Sequence, residues 1–413
     1  MKSLIYFIIS ALLLILLEAA RVYFIMPFPG SQLDDAANVS RVAVAYWLHN
    51  NIGWLRILGL GALVLSAIGL VRAVSQGRLS ARRGLARWWP VGVAGVLTGA
   101  YGMEIYLVNA EMMADQMFRQ PTTKRLVPLA QNKIPANKLV LGVYQNGDAR
   151  AYPLQLIGYH HQVRDTVGGK PVMITYCTVC RTGRVYDPIL NGKNETFRLV
   201  GMDHFNAMFE DEATGSWWRQ ATGEAILGPR KGQILSELAA PQMTLAEWSA
   251  AHPNTLVMQP DPAFKSETDS LATYDLGTKR GKLTGRDSTS WQRKSWVVGV
   301  MSDDGKTAKA FDWNQLVKQR VVSDSVGNQP VVLFLAADKL TFSVWNRAVQ
   351  GQLLTFAPTA DNQLTDRETN TVWNRQGMAV SGKLAGQQLV SMRAYQEFWH
   401  SWRSFHPKTQ KSR

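Results

Sequence analysis

The sequence predicts an α+β fold in which a β-rich, duplicated soluble domain of two related repeats is attached to an N-terminal three-helix transmembrane bundle. Hydrophobic residues concentrate in the first ~110 positions as long apolar runs. From Leu139 onward, short strand-like segments alternate with Gly, Asn and Asp, and this part of the chain resembles itself. We therefore expect domains at 1–111, 112–255 and 296–413, with a polar connection at 256–295.

Three apolar runs, at about residues 4–26, 51–71 and 89–108, are each long enough to cross roughly 30 Å of hydrocarbon. The first contains Glu18 and Arg21, and no small-x-small cleavage site follows it. We therefore expect an uncleaved span rather than a signal peptide.

The loop between the second and third runs is rich in arginine, so the positive-inside rule places it in the cytoplasm. This predicts a multi-pass protein of the cytoplasmic (inner) membrane, with everything after residue 112 on the periplasmic or extracellular side. The formal charge of +14 comes partly from this loop, and no basic stripe with interleaved aromatics occurs. We therefore expect the lipid bilayer as a partner and no nucleic acid. The loop arginines are Arg72, Arg78, Arg82, Arg83 and Arg87.

Charged residues inside the spans predict an ion network, because a charge in hydrocarbon is costly unless it is paired. Glu18, Arg56 and Glu104 fall near one depth, and Arg21 lies one turn further out. The third span also has a face of small residues, which should let a neighbouring helix approach closely. These residues are Gly92, Gly95, Gly99 and Gly102.

Four blocks of the soluble region recur in the same order, which predicts two copies of one unit. At the positions of Cys177 and Cys180 the second copy has Ala336 and Lys339. A site built on the cysteines therefore occurs once, and the second copy is expected to serve as scaffold or lid. The matching blocks are 141–153 with 298–312, 165–176 with 324–335, 211–228 with 366–382, and 247–255 with 398–409.

Two further features have structural interpretations. The polar connection, residues 256–295, is rich in Asp, Ser, Thr, Lys and Arg, and we expect it to be exposed. His252 and His406 each precede a proline and follow a Trp-bearing, helix-like stretch, so we expect them to end helices.

Cys177 and Cys180, the only two cysteines, follow a predicted hairpin. Gly168 and Gly169 suit a two-residue turn between the apolar runs on either side. With that turn, His160 lies directly opposite Cys177, whereas a three-residue loop would place His161 there.

A second group of candidate ligands, Met202, His204 and Met208, follows at 202–208. Thiolate, imidazole and thioether groups together suit one soft or borderline ion, copper or zinc. We therefore expect Cys177 and Cys180 to bind a metal, with His160 or His161 on the near side and His204, with Met202 or Met208, on the far side. The expected function is binding or transferring a copper-like ion outside the cytoplasm.

Two alternatives use the same cysteines, so the sequence leaves open whether the protein is an enzyme. One is a thiol-disulfide oxidoreductase, although the residues after Cys180 predict a strand, not the helix of a thioredoxin-like site. The other is a non-catalytic module with structural cysteines. Arg181 stands where a c-type haem would need histidine, and no nucleotide or flavin signature occurs. The expected partner is a metal-donor or redox protein outside the cytoplasm.

The segment from Ala149 to Cys180, followed by 214–229, resembles the bacterial and archaeal family known as domain of unknown function 3179. Members of this family typically have Cys-Pro-Leu-Cys-Gly-Thr after a tyrosine. The cysteines and Thr182 match that pattern, whereas Thr178 and Arg181 depart from it, and Arg181 should favour the thiolate of the second cysteine. His160 falls on the family's usual histidine, whose neighbour is commonly Glu but is His161 here. The resemblance implies an exported or membrane-anchored protein and no particular reaction.

Overall fold

The computed structural model describes residues 2–26, 35–79 and 87–412. Two compact units divide the chain: Met1–Phe118 with Leu199–His204, and Arg119–Arg198 with Phe205–Arg413. Two of the loop arginines, Arg82 and Arg83, lie outside the described residues.

The first unit is helical, and three of its helices are long and apolar enough to cross a membrane: Lys2–Tyr23, Arg41–Ser75 and Trp89–Met112. These three apolar helices support the predicted membrane anchor. The helices of this unit are α1 (Lys2–Tyr23), α2 (Asp35–Ser75), α3 (Trp89–Leu107), continued by a π-helical turn at Val108–Met112, and α4 (Ala114–Met117).

An ion network joins α1, α2 and the π-helical turn. Glu18 is fully buried, and its carboxylate accepts hydrogen bonds from Arg56 Nε at 2.6 Å and Arg21 Nη1 at 2.8 Å. Both arginines also donate to Asn109 Oδ1, at 3.2 Å from Arg21 and 3.4 Å from Arg56. The predicted network is therefore confirmed for Glu18, Arg21 and Arg56. It does not extend to Glu104, whose Oε2 has no hydrogen-bond partner within the described ranges.

The close helix approach lies elsewhere than predicted. A Cβ added at any of the four glycines of α3 would meet no described atom within 4 Å, so the expected contact along that face is wrong for the part of the chain that the structure describes. At Gly59 of α2, by contrast, an added Cβ would lie 2.4 Å from Leu14 Cδ2. Helix α1 can pack closely against this face of α2 because Gly59 leaves space for the Leu14 side chain.

Arg56→Leu should destabilise the helical unit by about 3 kcal/mol, because it removes one partner of a buried carboxylate. Thermal unfolding of the full chain in detergent measures the effect. The double variant Glu18→Leu/Arg56→Leu should be less destabilised than the single one, and equal loss in both would contradict the pairing.

The second unit is β-rich with short helices, as predicted. Residues of β9 from Leu199 onward group with the first unit. The elements are β1 (Leu126–Pro128), β2 (Leu139–Gln145), β3 (Asp148–Pro153), α5 (Leu154–His160), β4 (Gln162–Val167), β5 (Lys170–Cys177), β6 (Thr182–Tyr186), β7 (Ile189–Leu190), β8 (Lys193–Asn194), β9 (Phe197–Asp203), β10 (Asn206–Asp211), β11 (Trp217–Arg219), β12 (Ala225–Leu227), β13 (Glu237–Leu238), β14 (Gln242–Thr244), α6 (Leu245–Ala251), β15 (Leu256–Met258), α7 (Lys265–Asp269), β16 (Trp296–Met301), β17 (Ala308–Asp312), α8 (Trp313–Gln319), β18 (Val321–Val326), β19 (Gln329–Leu335), β20 (Phe342–Asn346), β21 (Ala348–Val349), β22 (Gln352–Leu353), β23 (Phe356–Pro358), β24 (Leu364–Asp366), β25 (Val372–Trp373), β26 (Ala379–Ser381), β27 (Ala394–Phe398), α9 (Trp399–Phe405) and β28 (Gln410–Lys411).

Most strand pairs that the structure describes in this unit are antiparallel, and β15 with β3 and β28 with β17 are parallel pairs. The strand orders are β1-β15-β3-β2-β14, β13-β6-β5-β4, β27-β16-β17-β28, β18-β19-β20 and β23-β24-β25-β26. Strands β10, β11 and β12 form an antiparallel ribbon. Cys177 is the last residue of β5 in the sheet β13-β6-β5-β4, and Cys180 lies in the loop that leads to β6.

Tryptophans of α6 and α9 lie flat on glycine positions of neighbouring strands. An added Cβ at Gly142 would lie 2.2 Å from Trp248 Cε3, and one at Gly299 would lie 2.2 Å from Trp402 Cε3. His252 and His406 follow these helices as C-caps, and their rings lie 4.1 and 4.0 Å from the same indoles. The two histidines therefore end helices, as predicted.

The polar connection is less exposed than expected. It contains a 3₁₀ turn at Pro262–Phe264 and the helix α7. Tyr274, Asp275 and Lys294 are buried, so the expectation of exposure is wrong for these residues. Their burial has a functional consequence, since all three lie near the cysteines.

Acid should destabilise the second unit through His406. Burial lowers the pKa of His406 from 6.5 to about 4, so the unfolded chain binds more protons between these two values. Stability is therefore expected to fall as pH falls from 6.5 to 4, by about 2 kcal/mol after allowance for the partly exposed ring. His406→Phe should remove this part of the pH dependence of thermal unfolding, and an unchanged profile would contradict the assignment.

Candidate functional site

A hairpin positions the cysteines. Gly168 and Gly169 have φ of 54° and 79°, and Val167 pairs with Lys170, so the predicted two-residue turn is confirmed. Strand β5 ends at Cys177, which pairs with Thr182 at the start of β6. Cys180 lies in the short loop between them. The chain returns so tightly here that both sulfur atoms lie at one end of the sheet.

His160 does not lie opposite Cys177, so that prediction is wrong. The β4–β5 ladder stops at Gln162 and Thr175, because the preceding residues form α5. His160 ends this helix, and its Nδ1 lies 2.6 Å from the Arg119 carbonyl oxygen. Its ring also packs edge-on against Phe264 at 5.2 Å.

His161 takes the place predicted for His160. It adopts a left-handed conformation, φ 58°, as the C-cap of α5, and its carbonyl accepts from Tyr176 N at 3.0 Å. This turn places the buried imidazole beside Cys177, where it helps to lower the pKa of that thiol. Nδ1 lies 3.0 Å from the Tyr159 carbonyl oxygen, which can only accept, so Nδ1 carries the proton in the neutral ring.

The two free thiols are fully buried and differ in acidity. Burial raises the pKa of Cys177, but the neighbouring Cys180 and His161 outweigh burial and hold this pKa well below its usual range. Burial and the neighbouring Cys177 raise the pKa of Cys180 well above that range. These opposite shifts favour a thiolate at Cys177 and a thiol at Cys180.

Lys294, from the polar connection, is the cation of this site. Its Nζ donates to the carbonyl oxygens of Val179 and, at 2.6 Å, of Leu283. Burial lowers the pKa of Lys294 to about 8, while the two cysteines act in the opposite direction. The ammonium in turn favours the thiolate of Cys180.

Arg181 does not have the role inferred from the resemblance. Its guanidinium donates to Gln396 Oε1 at 2.9 Å and to the Asp275 carbonyl at 3.2 Å, and it stacks 3.9 Å from the Trp296 ring. These contacts fix the loop that carries Cys180 to the polar connection and to β27. The cation that acts on the sulfur is Lys294 instead.

Residues near the C-terminus complete the site. Phe398 N donates to the Cys180 carbonyl at 3.0 Å, and His400 Nε2 lies 3.1 Å from the Val179 carbonyl oxygen. Ser401 Oγ and Thr182 Oγ1 are 3.2 Å apart. Burial holds the pKa of His400 well below its usual range, so this ring is neutral. No motif in the sequence indicated Lys294, His400 or Ser401, because more than a hundred residues separate each of them from the cysteines.

The predicted far-side ligands lie in different units. Met202 and His204 belong to the first unit, where Met202 N donates to the Ile25 carbonyl at 2.9 Å and His204 Nδ1 lies 2.6 Å from Asp203 Oδ1. Met208 is buried in the second unit, on β10 opposite Arg219. Among the described residues, no group of three or more His, Cys, Asp or Glu side chains is arranged to hold a metal ion. Ligation by these three residues stays a prediction.

Replacing Lys294 should change the acidity of the dithiol. Lys294→Met removes a charge that favours the Cys180 thiolate, so the thiolate should form at higher pH than in the wild type. The ultraviolet absorbance of the thiolate, followed against pH in the reduced protein, measures this shift. Lys294→Arg keeps the charge and is the control, and a titration unchanged by Lys294→Met would contradict the assignment.

Comparison with known proteins identifies one family. The model of that family, described as a protein of unknown function (DUF3179), matches residues 119–409, which include the cysteines, the polar connection and α9. No curated protein and no solved structure matches the chain.

Proposed function

The chain belongs to the DUF3179 family, and from this premise we propose that it is a membrane-anchored thiol-disulfide oxidoreductase. The proposal depends on one feature of the site: two free, buried thiols lie together, in surroundings that lower the pKa of Cys177 and raise that of Cys180. Such a pair supplies a nucleophilic thiolate and a second thiol that can resolve the product. The contact with a histidine and the nearby lysine favour the same function.

The reaction is a two-electron oxidation of the pair. Cys177 attacks the oxidant and breaks one of its bonds, and Cys180 then attacks the Cys177 sulfur and displaces the part of the oxidant bound there. One S–S bond forms, and the oxidant takes up the two electrons and two protons. The Lys294 ammonium is placed to stabilise the Cys180 thiolate as that thiol loses its proton. A reductant reverses the reaction.

The proposed location is outside the cytoplasm. Arg72 lies in the last turn of the second membrane helix, Arg78 follows that helix and Arg87 precedes the third, which favours a cytoplasmic loop and an external second unit. Disulfide chemistry is common in such compartments. A redox partner protein there would complete the cycle.

We further propose that the second unit arose by duplication, and matching contacts support this. The turns Gly168–Gly169 and Gly327–Asn328 close equivalent hairpins. Tyr176 N donates to the His161 carbonyl, as Leu335 N does to that of Arg320. Two pairs of indole hydrogen bonds also correspond: Trp218 to Asp211 with Trp373 to Asp366, and Trp248 to Thr255 with Trp402 to Thr409. The second copy, without cysteines, contributes His400 and Ser401 to the first copy's site.

Copper binding is the second candidate. Two sulfur atoms within hydrogen-bonding contact are a donor set that suits Cu(I), and the His161 ring contacts one of them. This proposal retains Cys177, Cys180 and His161 from the predicted metal site. It needs fewer ligands than the closed site expected from the sequence.

Redox titration of the full chain in detergent tests the proposal. The free thiols, trapped by alkylation and counted by mass, should follow a single two-electron curve, about 30 mV per tenfold change in dithiol-to-disulfide ratio. Cys180→Ser should abolish this transition.

The same reduced protein, incubated with Cu(I), tests the second candidate. One copper per chain without a redox transition would replace the oxidoreductase proposal with metal binding. A disulfide that no buffer reduces would overturn both proposals and leave structural cysteines.

A further inference from the structure

The face of the sheet that carries Cys177 is polar and buried. Gln162 pairs with Thr175, and Cys177 pairs with Thr182. Because strand residues two apart share a face, these four side chains lie on the same side of the sheet. All four are buried. A polar interior of this kind is unusual unless the polar groups find hydrogen-bond partners.

Two further amides lie against this face. Gln220 Nε2 donates to Thr175 Oγ1 at 2.9 Å and to the Thr182 carbonyl at 3.0 Å. Asn206 Nδ2 donates to Gln220 Oε1 at 2.9 Å. The carbonyl oxygen of Phe205, the residue before Asn206, lies 3.5 Å from Cys177 Sγ. The amide cluster therefore extends to the nucleophilic sulfur.

Hydrogen-bonding capacity remains in this cluster. Gln162 is 0 % exposed, yet its Nε2 and Oε1 have no partner in the part of the chain that the structure describes. The same holds for Asn206 Oδ1, in a residue that is 1 % exposed. A buried amide without a hydrogen-bond partner destabilises the fold, and such groups usually bind a small polar molecule such as water. The cluster offers both donors and acceptors beside a thiol.

We propose that this amide cluster binds a small hydroperoxide, and that hydrogen peroxide oxidises the dithiol at Cys177. The inference rests on the proposed oxidoreductase function and names the oxidant. Both cysteines are 0 % exposed, which favours a small oxidant over a bulky one. Hydrogen peroxide is small and uncharged, and it both donates and accepts hydrogen bonds, as the Gln162 and Asn206 amides require.

The reaction balances in two steps. The Cys177 sulfur attacks one peroxide oxygen, the O–O bond breaks, and the departing hydroxide takes up the proton released from the Cys177 thiol, which leaves a sulfenic acid and one water. Cys180 then attacks the sulfenic sulfur, and its proton leaves with the hydroxyl group as a second water. Two thiols and one peroxide thus give a disulfide and two waters. A thiol reductant restores the pair.

Stopped-flow oxidation of the full reduced chain in detergent tests the proposal. Hydrogen peroxide should oxidise the wild type faster than cumene hydroperoxide does, and faster than it oxidises free cysteine at the same pH. Gln162→Met should slow the reaction with hydrogen peroxide roughly tenfold, as expected from the loss of one hydrogen bond. In Cys180→Ser, a dimedone adduct should form at Cys177.

Gln233→Met changes an exposed glutamine in the same unit and should leave the rate unchanged. Thermal unfolding checks that Gln162→Met is folded, and Gln162→Glu, which keeps the side-chain shape, replaces it if it is not. The inference is overturned if substitution of Gln162 leaves the oxidation rate unchanged. It is also overturned if the wild type reacts with hydrogen peroxide no faster than free cysteine does. If the redox titration still shows a reversible couple, the oxidoreductase proposal survives that result. If the titration shows none, the oxidoreductase proposal fails independently.

Discussion

Removing two thiols and an ammonium group from water in one small volume is the constraint on which the site depends. Each group alone would be driven toward its neutral form by burial. Together, Lys294 and the sulfur atoms stabilise one another's charged forms, and the carbonyl groups of Val179 and Leu283 hold the ammonium in place. The connection between the halves of the second unit therefore has to be ordered, because it carries this lysine.

The same constraint accounts for the route of the chain around the cysteines. Arg181 fastens their loop to the polar connection, and Tyr274 donates from that connection to the Thr178 carbonyl at 2.9 Å. From the other half, α9 closes over the loop with His400 and Ser401. Three stretches that are distant in sequence thus share the burial of one pair of sulfur atoms. The half without cysteines is a structural part of the site.

Local patterns predicted local structure well. The Gly168–Gly169 turn, the strand after Cys180 and the three apolar helices follow from periodicity and turn chemistry, which depend on neighbours in sequence. The choice between His160 and His161 depended instead on where α5 ends, and helix ends are the least certain part of such predictions. The burial of Lys294 beside the cysteines could not be predicted from the sequence, because a lysine in a polar stretch is ordinarily solvated. The glycines of α3 indicated a helix face suited to close packing, but they could not indicate which helix would pack there.

The distance along the chain between the cysteines and α9 also determines how long after the cysteines α9 is synthesised. Roughly 220 residues separate Cys180 from His400, and at about 5–20 residues per second their synthesis takes on the order of 10–45 s. During that interval the hairpin has emerged but its cover has not. In a newly made chain, both thiols are therefore exposed to solvent for a time. Any modification that they acquire at that stage is buried when α9 packs over them.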